Sequence, residues 1–182
     1  MMKFQTSTGR VKHEITVPLS EADLVDVDLI GVQLGEADLR GANFTGAILT
    51  GADFSDADLR EATFDGAILE GACFDDANLQ RASLKQVDLY WGNLIKANLA
   101  EANLEGAQLQ GADLKCANLS GTRLLDAKLG RGNMGGGASL QGADLRGAMV
   151  IGADFAAAEY DQETQFPEGF DPDKAGMCLR NA

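Results

Sequence analysis

Residues 41–80 read as one twenty-residue phrase written twice, GANFTGAILTGADFSDADLR and then EATFDGAILEGACFDDANLQ, each made of four five-residue words. That period excludes the two common elements. An α-helix turns about 100° per residue, so fifth positions would wander around its circumference, and a flat strand would throw them onto alternate faces. A chain that bends at every fifth residue and closes a square after twenty keeps those positions inside, which is a solenoid pattern.

The register begins at Val17 and runs to Met134. Its central seat holds only Leu and Phe from Leu19 to Leu129, with Met134 last, and a small residue two places earlier is usually Ala. Large and small inward seats together fill a narrow interior. Phe44 and Phe64 are twenty residues apart, as are Phe54 and Phe74, and the two pairs are offset by ten. Two ring stacks facing each other across the core are predicted. The residue before each centre is mostly Asp, Asn, Ser or Thr, and Gly often ends the word (Gly41, Gly46, Gly51). These are turn residues: the short polar side chains bond nearby backbone, and Gly accepts positive φ.

Words such as ADLRG, ANFTG, ADFSD, ANLAE, ANLEG and ADLKC resemble the pentapeptide repeat family, over residues 17–160. The resemblance implies an all-β fold, a right-handed quadrilateral β-helix, which agrees with the usual hand of parallel-strand connections. About seven coils at ~4.8 Å each give a rod about 34 Å tall. Residues 1–16 are expected to cap the first coil and cover its strand edges. In GNMGGGASLQ, Met134 and Leu140 stand six apart, so a one-residue register slip is expected at 135–139. Residues 161–182 form a capping tail in which Phe166, Phe170 and Met177 fold back over the last coil, with a single helical turn at Pro172 to Ala175. This tail is similar to C-terminal segments of family members from photosynthetic bacteria, the cyanobacterial type.

Composition narrows the function. With 28 acidic against 15 basic residues and a net charge of −13, the chain lacks the clustered Lys and Arg that direct nucleic-acid binding requires. Lys3, Arg10 and Lys12 precede no apolar run, so neither a secretory signal nor a membrane span is expected. Cys73 and Cys116 fall two coils apart on one side, beyond the roughly 7 Å Cα limit for a disulfide. Cys178 is in the tail and there is no C-x-x-C pair, so free thiols, no zinc and a reducing, cytoplasmic compartment are expected. The one histidine, His13, has no partner in the pattern. Asp residues 23, 28, 38, 53, 58, 88, 113, 144 and 154 occupy turn seats, and a filled rod offers no pocket for an acid–base pair. No catalytic, cofactor or metal site is expected.

Exposed apolar residues are not evenly spread. The side with centres Leu29, Leu49, Leu69, Leu89, Leu109 and Leu129, continued to Val150 after the slip, collects Ile30, Ile48, Ile68, Tyr90, Trp91, Met149 and Ile151. Elsewhere only Val25, Leu125 and Ile95 compare. These seven form a candidate partner-binding face, with the adjacent aromatics as anchors. A packing reading stands beside it: Ile48 and Ile68 stack on each other, and Trp91 lies flat over Gly92 and the glycines of its column. The expected role is a non-enzymatic recognition or scaffold module that is regulatory in character, a monomer or weak homodimer with a protein partner. The alternative follows from the resemblance, since some family members bind type II topoisomerase as DNA mimics, and the negative charge permits that. Arg40, Arg60, Arg81, Lys85, Lys96 and Lys115 interrupt the acidic columns.

Overall fold

The structure, a computed structural model, describes residues 2–5, 11–15, 19–133 and 135–180. Strands β1 (Met2–Gln5) and β2 (Val11–Ile15) pair antiparallel at the N-terminal end, with Met2 opposite Ile15 and His13 opposite Phe4. The remainder of the expected cap, and the expected centre at Met134, lie outside the described residues. From Leu19 the chain follows a right-handed quadrilateral β-helix, and the described residues contain no α-helix.

The ordinary corners share one design. The Ala22 N–H donates to the Leu19 carbonyl at 3.1 Å, and Glu21 between them has φ of 60°. A closing bond to the fourth residue with positive φ at the third is the type II turn pattern. The seat that Gly41, Gly46 and Gly51 occupy is filled elsewhere by Asp26, Glu36, Arg81, Lys96 and Trp91, all left-handed. Tertiary bonding therefore imposes a conformation that these residues disfavour by about 1–2 kcal/mol each. The polar seat supports the turn from inside: Asn43 Oδ1 accepts the Thr45 N–H at 3.1 Å, and Asp53 Oδ1 accepts the Ser55 N–H at 3.0 Å.

Between corners each side contributes one parallel bridge to the coils below and above. The first side runs Asp23, Asn43, Thr63, Ser83, Asn103, Arg123, Met149, and the second runs Asp28, Ile48, Ile68, Asp88, Gln108, Lys128, Asp154. The third runs Gln33, Asp53, Cys73, Asn93, Asp113, Ser139, Glu159, and the fourth runs Asp38, Asp58, Asn78, Asn98, Asn118, Asp144, Gln165. Apart from the bond that closes each corner, backbone groups bond between coils. The Ile68 N–H donates to Ala47 O at 2.9 Å, and the Leu49 N–H donates to Ile68 O at 2.7 Å. On the fourth side the amides continue the ladder, Asn118 to Asn98 at 3.1 Å and Asn98 to Asn78 at 3.2 Å.

The inward seats form one apolar column from Leu19 to Met177. Phe44 stacks on Phe64 with centroids 4.8 Å apart, and Phe54 on Phe74 at 4.9 Å. The two stacks meet edge to face at 5.7 to 5.9 Å, so the rings that were predicted to oppose one another interlock. That geometry suits the aromatic quadrupole.

The slip is larger than expected. Asp113 bridges Ser139, Arg123 bridges Met149 and Lys128 bridges Asp154, so one coil carries six extra residues rather than one. The Ala138 N–H closes on the Leu129 carbonyl at 2.7 Å, which puts Ala138 in the small seat after Leu129 and leaves residues 130–137 as an expanded corner. The expected continuation from Leu129 to Val150 is therefore corrected: Phe155 follows Leu129, because the Leu129 N–H donates to Asp154 O at 2.7 Å.

Beyond Phe155 the ladder persists. Gln165 bridges Asp144, which gives Phe166 a seat on the fourth side. Strand β3 (Glu159–Tyr160) pairs in parallel with β4 (Cys178–Leu179). Phe166 stacks on Phe170 at 5.1 Å, Phe170 meets Phe155 edge to face at 5.2 Å, and Met177 is buried. The Ala175 N–H reaches Asp171 O at 3.1 Å, a single turn. Arg180 ties the tail down through Glu159 at 2.6 Å.

Candidate functional site

The second side and the corner after it carry four exposed large apolar residues, Ile30, Ile48, Ile68 and Trp91, and the first side with its corner carries Val25, Met149 and Ile151. Ile48 and Ile68 are directly bridged neighbours in the column of the second side, 36% and 41% exposed. Ile30 and Tyr90 share the first seat of the following corner, and Trp91 takes the second, at φ of 56°. Ile30 and Trp91 are exposed, and Tyr90 is half-buried.

The aromatic pair is held by glycines. Trp91 lies against Gly111 in the next coil, where a Cβ would stand 2.8 Å from Cε3. Tyr90 reaches the expanded corner, where a Cβ on Gly132 would fall on its hydroxyl. The two rings meet edge to face at 5.8 Å. Trp91 thus packs on Gly111, one of the glycines of its column. The Tyr90 hydroxyl is enclosed and bonds no described residue.

Met149 and Ile151 do not belong to this side. Met149 continues the column of Arg123 on the first side, and Ile151 takes the corner seat of Val25 and Leu125. The six extra residues shift everything after them by one side. Five of the eight residues at 130–137 are glycine, so few side chains marked the detour, although Gly132 in place of Ala and three following glycines were its trace.

The charged groups have their own order. On the fourth side Arg40 clasps Asp38 at 2.7 Å, Arg60 clasps Asp58 at 2.6 Å, and Arg146 clasps Asp144 at 2.6 Å. Hydrogen bonding by Arg40 holds the Asp38 carboxyl down at about 2, and Arg60 and Arg146 lower Asp58 and Asp144 in the same way. Glu70 and Asp88, beside and above Ile68 on the second side, make no ion pair among the described residues, although Asp88 Oδ1 accepts the Tyr90 N–H at 3.1 Å. Cys73, Cys116 and Cys178 are free thiols. Among the described residues no acidic, Cys or His group forms a metal-binding cluster. Open furrows of about 380 and 480 Å³ run along two corners, lined by Glu21, Arg40 and Arg60, and by Asp65, Lys85 and Asp126. No described helix is long and apolar enough to cross a membrane.

The model of pentapeptide repeats matches residues 22–60, 37–76, 52–89 and 93–131, in eight copies. The chain belongs to the pentapeptide repeat family. Among solved pentapeptide repeat proteins, HetL of the cyanobacterium Nostoc sp. strain PCC 7120, involved in heterocyst differentiation regulation, is 27% identical. The match covers 88% of this chain and 86% of HetL at a TM-score of 0.58. A pentapeptide repeat protein from the Arabidopsis thaliana thylakoid lumen is 32% identical, with 69% and 67% covered and a TM-score of 0.47. QnrB1, a plasmid-mediated fluoroquinolone resistance protein, is 18% identical, with 89% and 86% covered and a TM-score of 0.42. No curated protein sequence matches the chain.

Proposed function

We propose that this pentapeptide repeat protein is a non-enzymatic recognition or scaffold module that presents its second side to another protein. The carrying observation is the bridged pair Ile48 and Ile68, exposed beside Ile30 and Trp91 on a rod whose interior is filled by its own side chains. Apolar surface that folding leaves in water, flanked by an aromatic anchor, is what partner binding uses. Met149 and Ile151 supply a second apolar edge on the neighbouring side. The regulatory involvement of HetL supports a regulatory role, and the free thiols support a cytoplasmic setting. The rod acts as a monomer or weak dimer without cofactor.

The net charge of −13 supports a second reading, a DNA mimic directed at type II topoisomerase. The Arg clasps along the fourth side weigh against it, since they interrupt the negative column. A photo-crosslinking residue at Ile68, compared with one at Ala100 on the far corner, tests the first reading in source cells. One protein captured from Ile68 alone is expected; equal capture from both positions, or none from Ile68, overturns it. A gyrase supercoiling assay tests the second, and unchanged activity is the expected result.

A further inference from the structure

Three features of the second side specify its occupant. The first is spacing. Ile48 and Ile68 are adjacent rungs about 4.8 Å apart along the rod. A helix lying parallel to the axis repeats its contact residues every ~5.4 Å turn, whereas an extended strand presents same-face residues every ~6.6 Å. The ladder matches the helix.

The second feature is shape. A would-be Cβ on Gly51, Gly66 or Gly71 meets nothing within 4 Å, so these glycine seats are open, while Thr50, Asp65 and Glu70 fill the seats before them and Asp26 lies over Gly46. Ile48 and Ile68 therefore stand as a ridge flanked by open glycine seats, relief into which helix side chains pack.

The third is charge. Asp38, Asp58, Asp144 and Glu159 on other sides are clasped by Arg40, Arg60, Arg146 and Arg180 of this chain. Glu70 and Asp88, next to the ridge, have no such cation among the described residues, as Asp53, Asp56 and Asp75 elsewhere on the rod have none, but of these only Glu70 and Asp88 stand beside exposed isoleucines. Exposed Asp26 adds negative charge below. Complementary cations on a partner would be steered to this side.

We propose that the occupant is an amphipathic helix of another protein, lying along the rod axis with its apolar stripe on Ile48 and Ile68 and Lys or Arg against Glu70 and Asp88. This rests on the recognition reading above. Trp91, the single tryptophan, flanks the ridge and reports occupancy.

The test titrates the full chain with a synthetic Ala-rich helical peptide carrying Leu at i and i+4 and Lys at i−3, i+7 and i+8, following Trp91 fluorescence. The controls are the same peptide with Glu for Lys, and one of equal composition with Pro and alternating apolar residues. The basic helix is expected to bind at least about tenfold tighter than either control, and to weaken with added salt. Ile48→Ser/Ile68→Ser should abolish the shift. Glu70→Gln/Asp88→Asn, which keeps an acceptor for the Tyr90 N–H, should cost about tenfold and remove most of the salt dependence. Equal binding of the acidic helix, preference for the extended peptide, or no binding of any peptide overturns the proposal. If the Ile68 crosslinker still captures one protein, the wider recognition reading survives that failure; if it captures none, both fall. Sedimentation that shows self-association abolished by Ile48→Ser/Ile68→Ser identifies a second copy as the occupant, and overturns the helix.

Discussion

The indole of Trp91 rests on the bare backbone of Gly111 one coil above it, close enough that a methyl group at Gly111 would collide with the ring. Both residues have positive φ, 56° and 73°. Bonding to the next coil sets the corner conformation of Trp91, and its indole is seated by a contact that only Gly permits. Gly111→Ala is expected to lower stability by about 1–3 kcal/mol, from backbone strain and the displaced indole. In a Trp91→Gly background the same change should cost less. Chemical denaturation followed by circular dichroism measures the difference, and additive losses would mean that the two residues are uncoupled.

Phe64 stacks on Phe44 and meets Phe54 and Phe74 edge to face. Phe64→Ala is expected to destabilise by about 3–5 kcal/mol, and Phe64→Leu by a fraction of that, since Leu fills the same seat in most words. Urea midpoints at constant slope check both.

Asp38 is held at about 2 by hydrogen bonding from Arg40. The folded value is depressed, so its stabilising contribution is complete above the unfolded value of roughly 3.9 and is lost as pH falls through the folded one. Carboxyl NMR titration should show a midpoint near 2 in the native chain and a return toward the ordinary carboxylate range in Arg40→Gln. Stability should be insensitive to this group from pH 5 to 8.

Deleting residues 131–136 would leave Gly130 and Gly137 as an ordinary two-residue corner between Leu129 and Ala138. The fold is expected to survive with an unchanged far-ultraviolet spectrum, because the flanking bridges already span the loop. The Tyr90 hydroxyl, no longer against Gly132, should become accessible to nitration. Loss of cooperative unfolding would instead make the loop part of the rod.

The repeat was legible because its signal is redundant. Leu or Phe at every fifth seat and Phe pairs twenty apart leave only one way to bury them, and the ring stacks follow. Left-handed corners at Arg81, Lys96 and Trp91 were not legible, since these residues favour other conformations and yield only to bonding with the next coil. The expanded corner was misread for a related reason. Met134 continues the five-residue count, and Ala138 with Leu140 restarts it, so the sequence alone allows a short slip. Backbone bonding from Ala138 to Leu129 decides otherwise, and with it the sides on which Met149 and Ile151 lie.

The interlocked rings of Phe44, Phe54, Phe64 and Phe74 have a kinetic consequence. Coils touch only their neighbours, so ordering spreads stepwise along such a molecule, and it starts where the first few coils gain most. Four aromatic rings contributed by two successive coils make that spot. The rod therefore has a built-in nucleus near its N-terminal third, from which each newly laid coil templates the next toward the tail that closes it.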